Sequence, residues 1–370
     1  MTTAAPQAPP SRAGSFHALP VAEVTRLCED AAAISFDVPA ALAGTYAFRA
    51  GQSLTLRRFI DGRDERRSYS ICAPEGDRPR IGVREVPGGL FSQWLVREVR
   101  PGDEIEVAAP SGTFTLGNGT GANGPGTGGA HVAIAAGSGI TPVLSVVATV
   151  LRDPAATVTL LYGNRRASTV MFADELADLK DRYPARLHLV HVLSREPQEA
   201  ELLTGRLDEA KLAELLPLVA DPARVGHWWL CGPLPMITGA SGLLRASGVP
   251  PSRIHRELFY AGDEPAPPVQ HADAPPAGAT SEATIVLDGR STRLTLPRDT
   301  TILEGAQRVR PDVPFACKGA VCGTCRARIT SGRASMRRNF ALEESEVSAG
   351  FVLTCQSLPA TDAITIDYDT

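Results

Sequence analysis

The sequence predicts three folded domains in one chain: an antiparallel β-barrel, an α/β domain with a parallel sheet, and a smaller α+β domain. A length of 370 residues is enough for two or three domains. Two breaks in composition divide the chain, a glycine-rich loop over 117–130 and a linker rich in proline and alanine over 263–281. The predicted domains are therefore 14–116, 131–262 and 282–370, preceded by a disordered arm over 1–13.

The first predicted domain has short apolar runs separated by turn residues, which is the pattern of a small antiparallel barrel. One helix is predicted over Phe91–Glu98, before a turn that runs from Arg100 to Asp103. The predicted strands are Ser53–Leu56, Arg67–Cys72, Arg80–Val86 and Glu104–Ala108.

In the second predicted domain, apolar strands alternate with helices. This alternation predicts a parallel sheet that is covered by helices on both faces. The predicted strands are Val132–Ala136, Val158–Tyr162, Leu187–Leu193 and Trp228–Cys231. The predicted helices are Pro142–Leu151, Phe172–Asp181, Asp208–Leu216 and Leu234–Ser247.

The third predicted domain begins with a hairpin-like pair of strands, Thr284–Leu287 and Thr292–Leu296. One short helix and a loop containing cysteines follow, and the last strand is predicted over Ala363–Tyr368. A hairpin, a helix and a returning strand together indicate an α+β domain.

Charge and hydropathy exclude two classes of function. The formal net charge of −4 argues against a broad nucleic-acid surface, which needs an excess of basic residues. Val132–Leu151 has no charged residue, but Gly137, Gly139 and Pro142 interrupt it, so we interpret it as a buried strand, a turn and a buried helix. The N-terminal residues lack the apolar core of a signal peptide, and the expected compartment is the cytoplasm.

Four of the seven cysteines lie near the C-terminus with the spacing C-x4-C-x2-C-x29-C. This is the plant-type pattern of thiolates that hold a [2Fe–2S] cluster. The alternative is a structural zinc site, whose ligands usually come as two C-x2-C pairs, and here there is one. The predicted cluster ligands are Cys317, Cys322, Cys325 and Cys355.

A flavin site is predicted from the segment Arg67-Ser68-Tyr69-Ser70. Arg67 is expected to pair with a pyrophosphate, Tyr69 to cover the flavin ring, and Ser70 to hydrogen-bond near its N5 atom. The alternative is a barrel strand with an exposed arginine. Further along, Gly88 and Gly89 are expected to expose N–H groups to a phosphate, and Ser92 to cap the helix that follows.

A dinucleotide site is predicted from Gly137-Ser138-Gly139-Ile140-Thr141-Pro142, which follows a buried strand and opens a helix. The segment lacks the G-x-G-x-x-G pattern, and its alternative is a tight packing turn.

Arginines at the ends of two predicted strands indicate which nicotinamide cofactor is used. Arg165 and Arg166 follow one strand, and Ser194-Arg195 ends the next. Arginines near a ribose suit a 2′-phosphate, which favours NADPH, although exposed surface arginines are the alternative. Cys231-Gly232-Pro233 ends the last predicted strand, where Cys231 lies either near the nicotinamide or in ordinary packing.

Taken together, these motifs resemble the ferredoxin–NADP⁺ reductase superfamily with a plant-type ferredoxin domain fused at the C-terminus. The resemblance extends from about Phe16 to Asp369, keeps the family's order of motifs, and implies a β-grasp ferredoxin domain. Phe315–Cys322, Asn339–Glu343 and Ile366–Asp369 are most similar to the reductase subunits of phenylacetyl-CoA epoxidases.

The resemblance implies FAD as the flavin and Glu257 and Phe259 in a segment that closes beside it. The candidate catalytic residues are Tyr69, Ser70, Glu257 and Cys231. The resemblance alone does not assign a catalytic role to Cys231. The implied FAD ligands are Arg67, Ser68, Tyr69, Ser70, Val83, Gly88, Gly89 and Ser92. The implied NADPH ligands are Gly137, Ser138, Gly139, Thr141, Arg165, Ser194, Arg195, Cys231, Gly232 and Pro233.

The resulting hypothesis is a reductase in which electrons pass from NADPH to FAD, to the cluster, and to a separate oxygenase. The resemblance implies that this oxygenase is phenylacetyl-CoA epoxidase. One alternative is the reductase of another oxygenase, such as a steroid or aromatic-ring hydroxylase. A second, from a different class, is a binding module stabilised by zinc.

Overall fold

The computed structural model describes residues 16–116, 128–259 and 278–370. The predicted arm lies outside these ranges, as do most of the predicted glycine-rich loop and linker. Contacts divide the described residues into two compact units, the larger built mainly from 18–106, 110–116 and 128–259 and the smaller mainly from 278–370. No helix in the described ranges is long and apolar enough to cross a membrane.

The secondary structure consists of the following elements. The strands of the larger unit are β1 Phe16–Cys28, β2 Ala31–Phe36, β3 Ser53–Ile60, β4 Arg63–Ser70, β5 Arg80–Arg84, β6 Glu104–Ala108, β7 Gly129–Ala136, β8 Ala156–Asn164, β9 Leu187–Leu193, β10 Val225–Gly232 and β11 Ile254–Leu258. Its helices are α1 Leu90–Arg97, α2 Ile140–Val150, α3 Ala173–Arg182, α4 Glu209–Val219 and α5 Leu234–Ala246. The smaller unit has β12 Thr280–Leu287, β13 Arg290–Pro297, β14 Arg326–Ser331, β15 Ala334–Met336, β16 Phe351–Leu353, β17 Ser357–Pro359, β18 Ala363–Asp367, α6 Ile302–Val309 and α7 Glu344–Ser348.

Strands β1 to β6 form one sheet in the order β4-β3-β6-β1-β2-β5, and this sheet closes on itself. An antiparallel bridge between Ile71 and Ile81 joins the two strands at the ends of that order, so the predicted barrel is confirmed. The sequence prediction missed β1 and β2, and it placed β4 too late, over Arg67–Cys72. The charged run at the start of β4 hides that strand because it contains no apolar residue, although it pairs with β3 along its whole length.

Strands β7 to β11 form a parallel sheet in the order β11-β10-β7-β8-β9, as predicted for the second domain. Every residue of α2 is buried, which explains why the chain carries no charge there. The sequence prediction missed β11, whose five residues include three charged or polar side chains and therefore lack an apolar run. This short strand carries Glu257 into the candidate site.

The smaller unit has a mixed sheet in the order β13-β12-β18-β14-β16, with a helix packed against it. β12 and β13 are an antiparallel hairpin, whereas β12 and β18 run parallel. A Cβ on Gly305 of α6 would lie 2.2 Å from Leu296 Cδ1, so a larger residue here would force the buried Leu296 side chain to move. The predicted short helix between the hairpin and the cysteine loop is α6, and the sequence prediction missed α7 and the strands β14 to β17.

Candidate functional site

The end of β4 in the barrel contacts the end of β11 in the α/β part of the larger unit. Ser70 Oγ donates a hydrogen bond to Glu257 Oε2 at 3.1 Å, and Ser70 is buried. Burial raises the pKa of Glu257 to about 7, against the opposing effect of the hydrogen bond from Ser70. The carboxyl group can therefore bind or release a proton near neutral pH.

Cys231 lies beside Glu257 because β10 and β11 pair these two residues in parallel register. The Cys231 side chain is fully buried, and burial, followed by the charge of Glu257, raises the pKa of its thiol well above the usual value. A Cβ at Gly139 would lie 2.3 Å from the Cys231 carbonyl oxygen. The glycine turn after β7 and the end of β10 therefore meet only because this residue lacks a side chain.

The remaining residues of the predicted flavin segment lie on β4. The Tyr69 ring centroid lies 6.2 Å from that of Phe91, and burial raises the pKa of the Tyr69 hydroxyl, so this side chain is neutral. Ser68 Oγ lies 3.0 Å from Thr55 Oγ1 on the neighbouring strand. Arg67 is exposed and donates to Glu65 Oε2 at 3.0 Å, an exposed ion pair that costs little to exchange for another anion.

The predicted phosphate loop is a tight turn before α1. Gly88 has a φ of +72°, and a Cβ at Gly89 would lie 2.7 Å from Ser92 Oγ. The prediction that Ser92 caps α1 was wrong. Gly89 is the N-cap, and Ser92 lies in the first turn, where its hydroxyl accepts from Val86 N at 3.0 Å and donates to Gly89 O at 3.3 Å. Ser92 thus closes the turn, while Val83 is fully buried within β5.

The predicted dinucleotide turn leads from β7 into α2. Gly137 has a φ of +55°, and its carbonyl oxygen accepts a hydrogen bond from the buried Tyr162 hydroxyl at 3.0 Å. Thr141 is buried and donates to Ser138 O at 3.0 Å. These contacts hold the N-terminal end of a buried helix at the carboxyl edge of the sheet, where α/β folds bind phosphates.

Backbone hydrogen bonds bring the ends of β8 and β9 together. Ser194 N donates to Asn164 O at 2.9 Å, and Arg195 N donates to Arg165 O at 2.8 Å. Both arginine side chains are exposed and have no acidic partner within the described part of the chain.

At the other end of the site, Pro233 is the N-cap of α5, and Phe259 N donates to Gly232 O at 3.2 Å. The same edge of the sheet therefore carries all these residues.

Sequence reasoning missed two polar residues here. Arg84 donates from Nη2 to Thr169 O, its Nε lies 3.2 Å from Asp30 Oδ1, and its Nη1 would lie 3.4 Å from a Cβ on Gly137. Asn164 is buried, and its amide, which lies near the Tyr162 hydroxyl, makes no hydrogen bond of normal geometry with the described residues. A buried amide without a partner is costly, so this edge of the sheet fits a polar ligand. The sequence offered one signal for Arg84, which directly follows Val83, a residue implied at the flavin site.

The four predicted cluster cysteines are in the smaller unit and form two hydrogen-bonded pairs. A hydrogen bond from Cys322 is the main cause that lowers the pKa of Cys317 to about 5, and Cys325 lowers the pKa of Cys355 in the same way. Cys317 Sγ also accepts from the N–H groups of Gly319 at 3.3 Å and Cys322 at 3.4 Å. Lys318 and Ala320 have φ values of +52° and +67°, so the loop holds non-glycine residues in the left-handed region.

Two pairs of cysteines fit a cluster better than a single ion. A [2Fe–2S] cluster needs four thiolates for two irons, and the two pairs supply them. A structural zinc site would instead need the four ligands around one ion, which two separate pairs fit less well.

Comparisons with known proteins agree with this division of the chain. Family profiles match for an oxidoreductase FAD-binding domain over 18–116, an oxidoreductase NAD-binding domain over 133–242 and a 2Fe-2S iron–sulfur cluster binding domain over 285–360. A subunit of the 1,2-phenylacetyl-CoA epoxidase from Escherichia coli is 39% identical over 96% of this chain and 98% of its own length. The ferredoxin reductase component of 3-ketosteroid-9-alpha-monooxygenase from Rhodococcus rhodochrous is 32% identical over 95% of this chain and 96% of its own.

Among solved structures, phthalate dioxygenase reductase is similar with a TM-score of 0.56 and 22% identity, covering 95% of this chain and 98% of that one. This similarity supports the fold, in which a flavin barrel, a nicotinamide-binding domain and an iron–sulfur domain follow each other. The chain belongs to the flavin and iron–sulfur oxidoreductases that are the reductase components of oxygenase systems.

Proposed function

We propose that the chain oxidises NADPH at FAD and passes the electrons through its [2Fe–2S] cluster to the oxygenase of a phenylacetyl-CoA epoxidase. The observation that supports the redox site best is the convergence of Ser70, Gly139, Cys231 and Glu257 between the barrel and the parallel sheet. The 39% identity over nearly the full length of a component of such an epoxidase supports the choice of oxygenase. The cytoplasm is the proposed compartment.

The three modules complement each other chemically. A hydride carries two electrons, an iron–sulfur cluster accepts one, and a bound flavin supplies the exchange between the two. In the proposed site, Ser70 donates its hydrogen bond to Glu257, and Glu257 holds or releases a proton near neutral pH beside the flavin. Cys231, kept as a neutral thiol by burial, shapes the wall against which the nicotinamide would lie.

The proposed FAD site is built on the barrel. Tyr69 covers one face of the ring, and Arg67 exchanges its exposed partner Glu65 for the pyrophosphate. Ser68, Ser70 and Val83 line the same site, and the turn closed by Ser92 presents the backbone of Gly88 and Gly89.

The proposed NADPH site lies at the carboxyl edge of the parallel sheet. Its pyrophosphate is placed at the turn of Gly137, Ser138, Gly139 and Thr141, while Gly232, Pro233 and Phe259 border the nicotinamide. Arg165 and Arg195 are placed at the 2′-phosphate with Ser194, because their backbones are hydrogen-bonded and their exposed guanidinium groups have no described acidic partner.

The cofactor preference is tested by R165Q/R195Q. Because a hydrogen bond to a charged group contributes about 1.5–3 kcal/mol, we expect kcat/KM for NADPH to fall roughly tenfold to a hundredfold while that for NADH changes little. The control is R182Q/R224Q, which also removes two exposed arginines but at the amino edge of the sheet, before β9 and β10. Equal losses with NADPH and NADH would contradict the assignment of these arginines.

The oxygenase is tested by NADPH consumption with purified oxygenase subunits of phenylacetyl-CoA epoxidase, with and without phenylacetyl-CoA. We expect consumption that the substrate stimulates, with epoxide formed. The second candidate is a steroid monooxygenase reductase, favoured by the 32% identity to such a component. If only the 3-ketosteroid oxygenase couples to this reductase, the second candidate replaces the first.

A further inference from the structure

The segment that contains three of the four cluster cysteines carries only positive charge. Between Val313 and Leu342 the sequence has six Lys or Arg residues and no Asp or Glu, whereas the whole chain has 37 basic and 41 acidic residues. An ordinary solvated surface mixes the two signs, so this segment departs from the rest of the molecule.

Two of the six cations stabilise the fold of this unit. Arg326 Nε donates to Glu346 Oε1 at 3.0 Å, and Arg328 Nε donates to Ala349 O at 3.1 Å. Both guanidinium groups also lie near the ring of Phe351, with centroid distances of 3.5 and 5.8 Å. Packing and hydrogen bonds explain these two residues.

Of the four remaining cations, Lys318, Arg337 and Arg338 have no such role, and Arg333 is not part of the proposal. All three are exposed, and none has a carboxylate partner among residues 16–116, 128–259 and 278–370. Lys318 Nζ lies 4.8 Å from the centroid of the Phe315 ring, which keeps its charge close to the cysteine loop.

Hydrogen bonds place these cations beside the cysteines. Gln356 Nε2 donates to Lys318 O at 2.9 Å, and Arg337 N donates to Gln356 O at 2.8 Å. Gln356 follows Cys355, and Lys318 follows Cys317. Lys318 and Arg337 therefore border the place where cysteines from two separate parts of the chain come together, and Arg338 is the next residue after Arg337.

We propose that Lys318, Arg337 and Arg338 form a cationic docking rim that receives an acidic surface of the oxygenase component. The thiolates of the cluster are themselves negative, so an acidic partner would be repelled from this loop without such a rim. Exposed charges of one sign steer a complementary partner and raise association rates at low salt. Only the choice of oxygenase for the test rests on the proposed function.

The test uses the cluster-loaded chain and its R337Q/R338Q variant. The control is R290Q/R293Q, which removes two exposed arginines from the edge strand β13, at the other edge of the sheet from β16. We expect the rate of electron transfer to the epoxidase oxygenase to fall about threefold to tenfold at low salt in R337Q/R338Q. We also expect its salt dependence to flatten, since screening removes the steering that the rim provides.

R337K/R338K preserves the charge and is expected to keep the wild-type rate and salt dependence. Adding K318Q to R337Q/R338Q is expected to lower the low-salt rate further. Cluster absorbance must be unchanged in every variant, so that slower transfer is not caused by loss of the cluster. If R337Q/R338Q and R290Q/R293Q transfer electrons to the oxygenase at the same rate and with the same salt dependence, the proposed docking rim is contradicted.

Small acceptors test the charge of the rim without the oxygenase. Oxidation of the reduced cluster by anionic ferricyanide should slow in R337Q/R338Q, and oxidation by cationic hexaammineruthenium should become faster. If the oxygenase accepts no electrons from the wild type, the proposed function fails, but a changed ratio of the ferricyanide rate to the hexaammineruthenium rate still supports the rim. An unchanged ratio contradicts the rim. Slower reduction of the chain's own cluster by NADPH in R337Q/R338Q also contradicts it, because these cations would then act in electron transfer within the chain.

Discussion

The two proposed redox sites of this chain are assembled in different ways. The proposed hydride-transfer site joins Gly139, Cys231 and Glu257, which meet at the edge of the parallel sheet, with Ser70, which reaches Glu257 only when the barrel packs against that sheet. The proposed cluster site takes three cysteines from one loop and a fourth from a turn that returns to it. Substitutions that disturb packing should therefore impair the first site, whereas loss of a single ligand should be enough to impair the second.

The largest expected effect tests the cluster site. C322S removes one of four thiolates, and we expect loss of the cluster and of all electron transfer to an oxygenase. NADPH-driven reduction of a dye that accepts directly from flavin should persist, because the larger unit is untouched. The control is C28S, which changes a cysteine outside the predicted cluster ligands and should keep the cluster's visible absorbance. A C322S protein with an intact cluster would contradict the ligand assignment.

The next effect tests the site built by packing. In G139A the new Cβ would lie 2.3 Å from the Cys231 carbonyl oxygen, so the turn and the end of β10 must move apart. We expect flavin reduction by NADPH to slow at least about tenfold, because small misplacements cost large factors in rate. G242A is the matched control, since a Cβ there has no atom within 4 Å.

In the control, alanine within α5 should slightly stabilise the larger unit, by about 0.5–1 kcal/mol. Stopped-flow flavin absorbance measures the rate, and thermal unfolding measures stability. If G139A and G242A reduce flavin equally fast, close approach at this turn has no role in hydride transfer.

Sequence reasoning is most direct where function is encoded locally. The cysteine spacing predicted an iron–sulfur domain, with which the family match over 285–360 agrees, and the segments around Tyr69 and Gly137 could be interpreted from their own residues. The contact between Ser70 and Glu257 spans 187 positions, and β11 is too short and too polar to be recognised from apolar runs. Glu257 therefore came only from the resemblance to a family.

The errors have local physical causes. Ser92 was expected to cap α1, but the helix begins two residues earlier, and its hydroxyl closes the preceding turn instead. Arg84 and Asn164 gave no motif, because a buried polar group is recognised as unusual only when its surroundings are known.

A smaller effect concerns protonation in the first site. The pKa of Glu257 is raised to about 7 by burial, so the folded chain binds its proton more tightly than the unfolded chain does. Stability from this group is present below the ordinary carboxyl pKa and is lost as the pH rises toward and through about 7. E257Q should remove this part of the pH dependence of unfolding, and it should slow flavin reduction several-fold.

S70A tests the same carboxyl group from the other side. The hydrogen bond from Ser70 favours the charged carboxylate, so its loss should shift the titration of Glu257 upward. The pH profile of flavin reduction reports the shift. An inflection that stays in place in both S70A and E257Q would show that another group is responsible.

The smallest effect returns to the unit that holds the cluster. Thr301 caps α6, accepting from Glu304 N at 3.3 Å, and α6 packs against the turn 354–356 that carries Cys355. T301A should lower the free energy of unfolding of this unit by about 1 kcal/mol, and T301S, which keeps the hydroxyl, should restore it. Flavin reduction should not change, while the cluster should be lost at a lower temperature. If T301A also slowed flavin reduction, the flavin site would depend on the stability of the unit that holds the cluster. The two sites would then not differ in the way proposed, one built from local sequence and the other from long-range contacts.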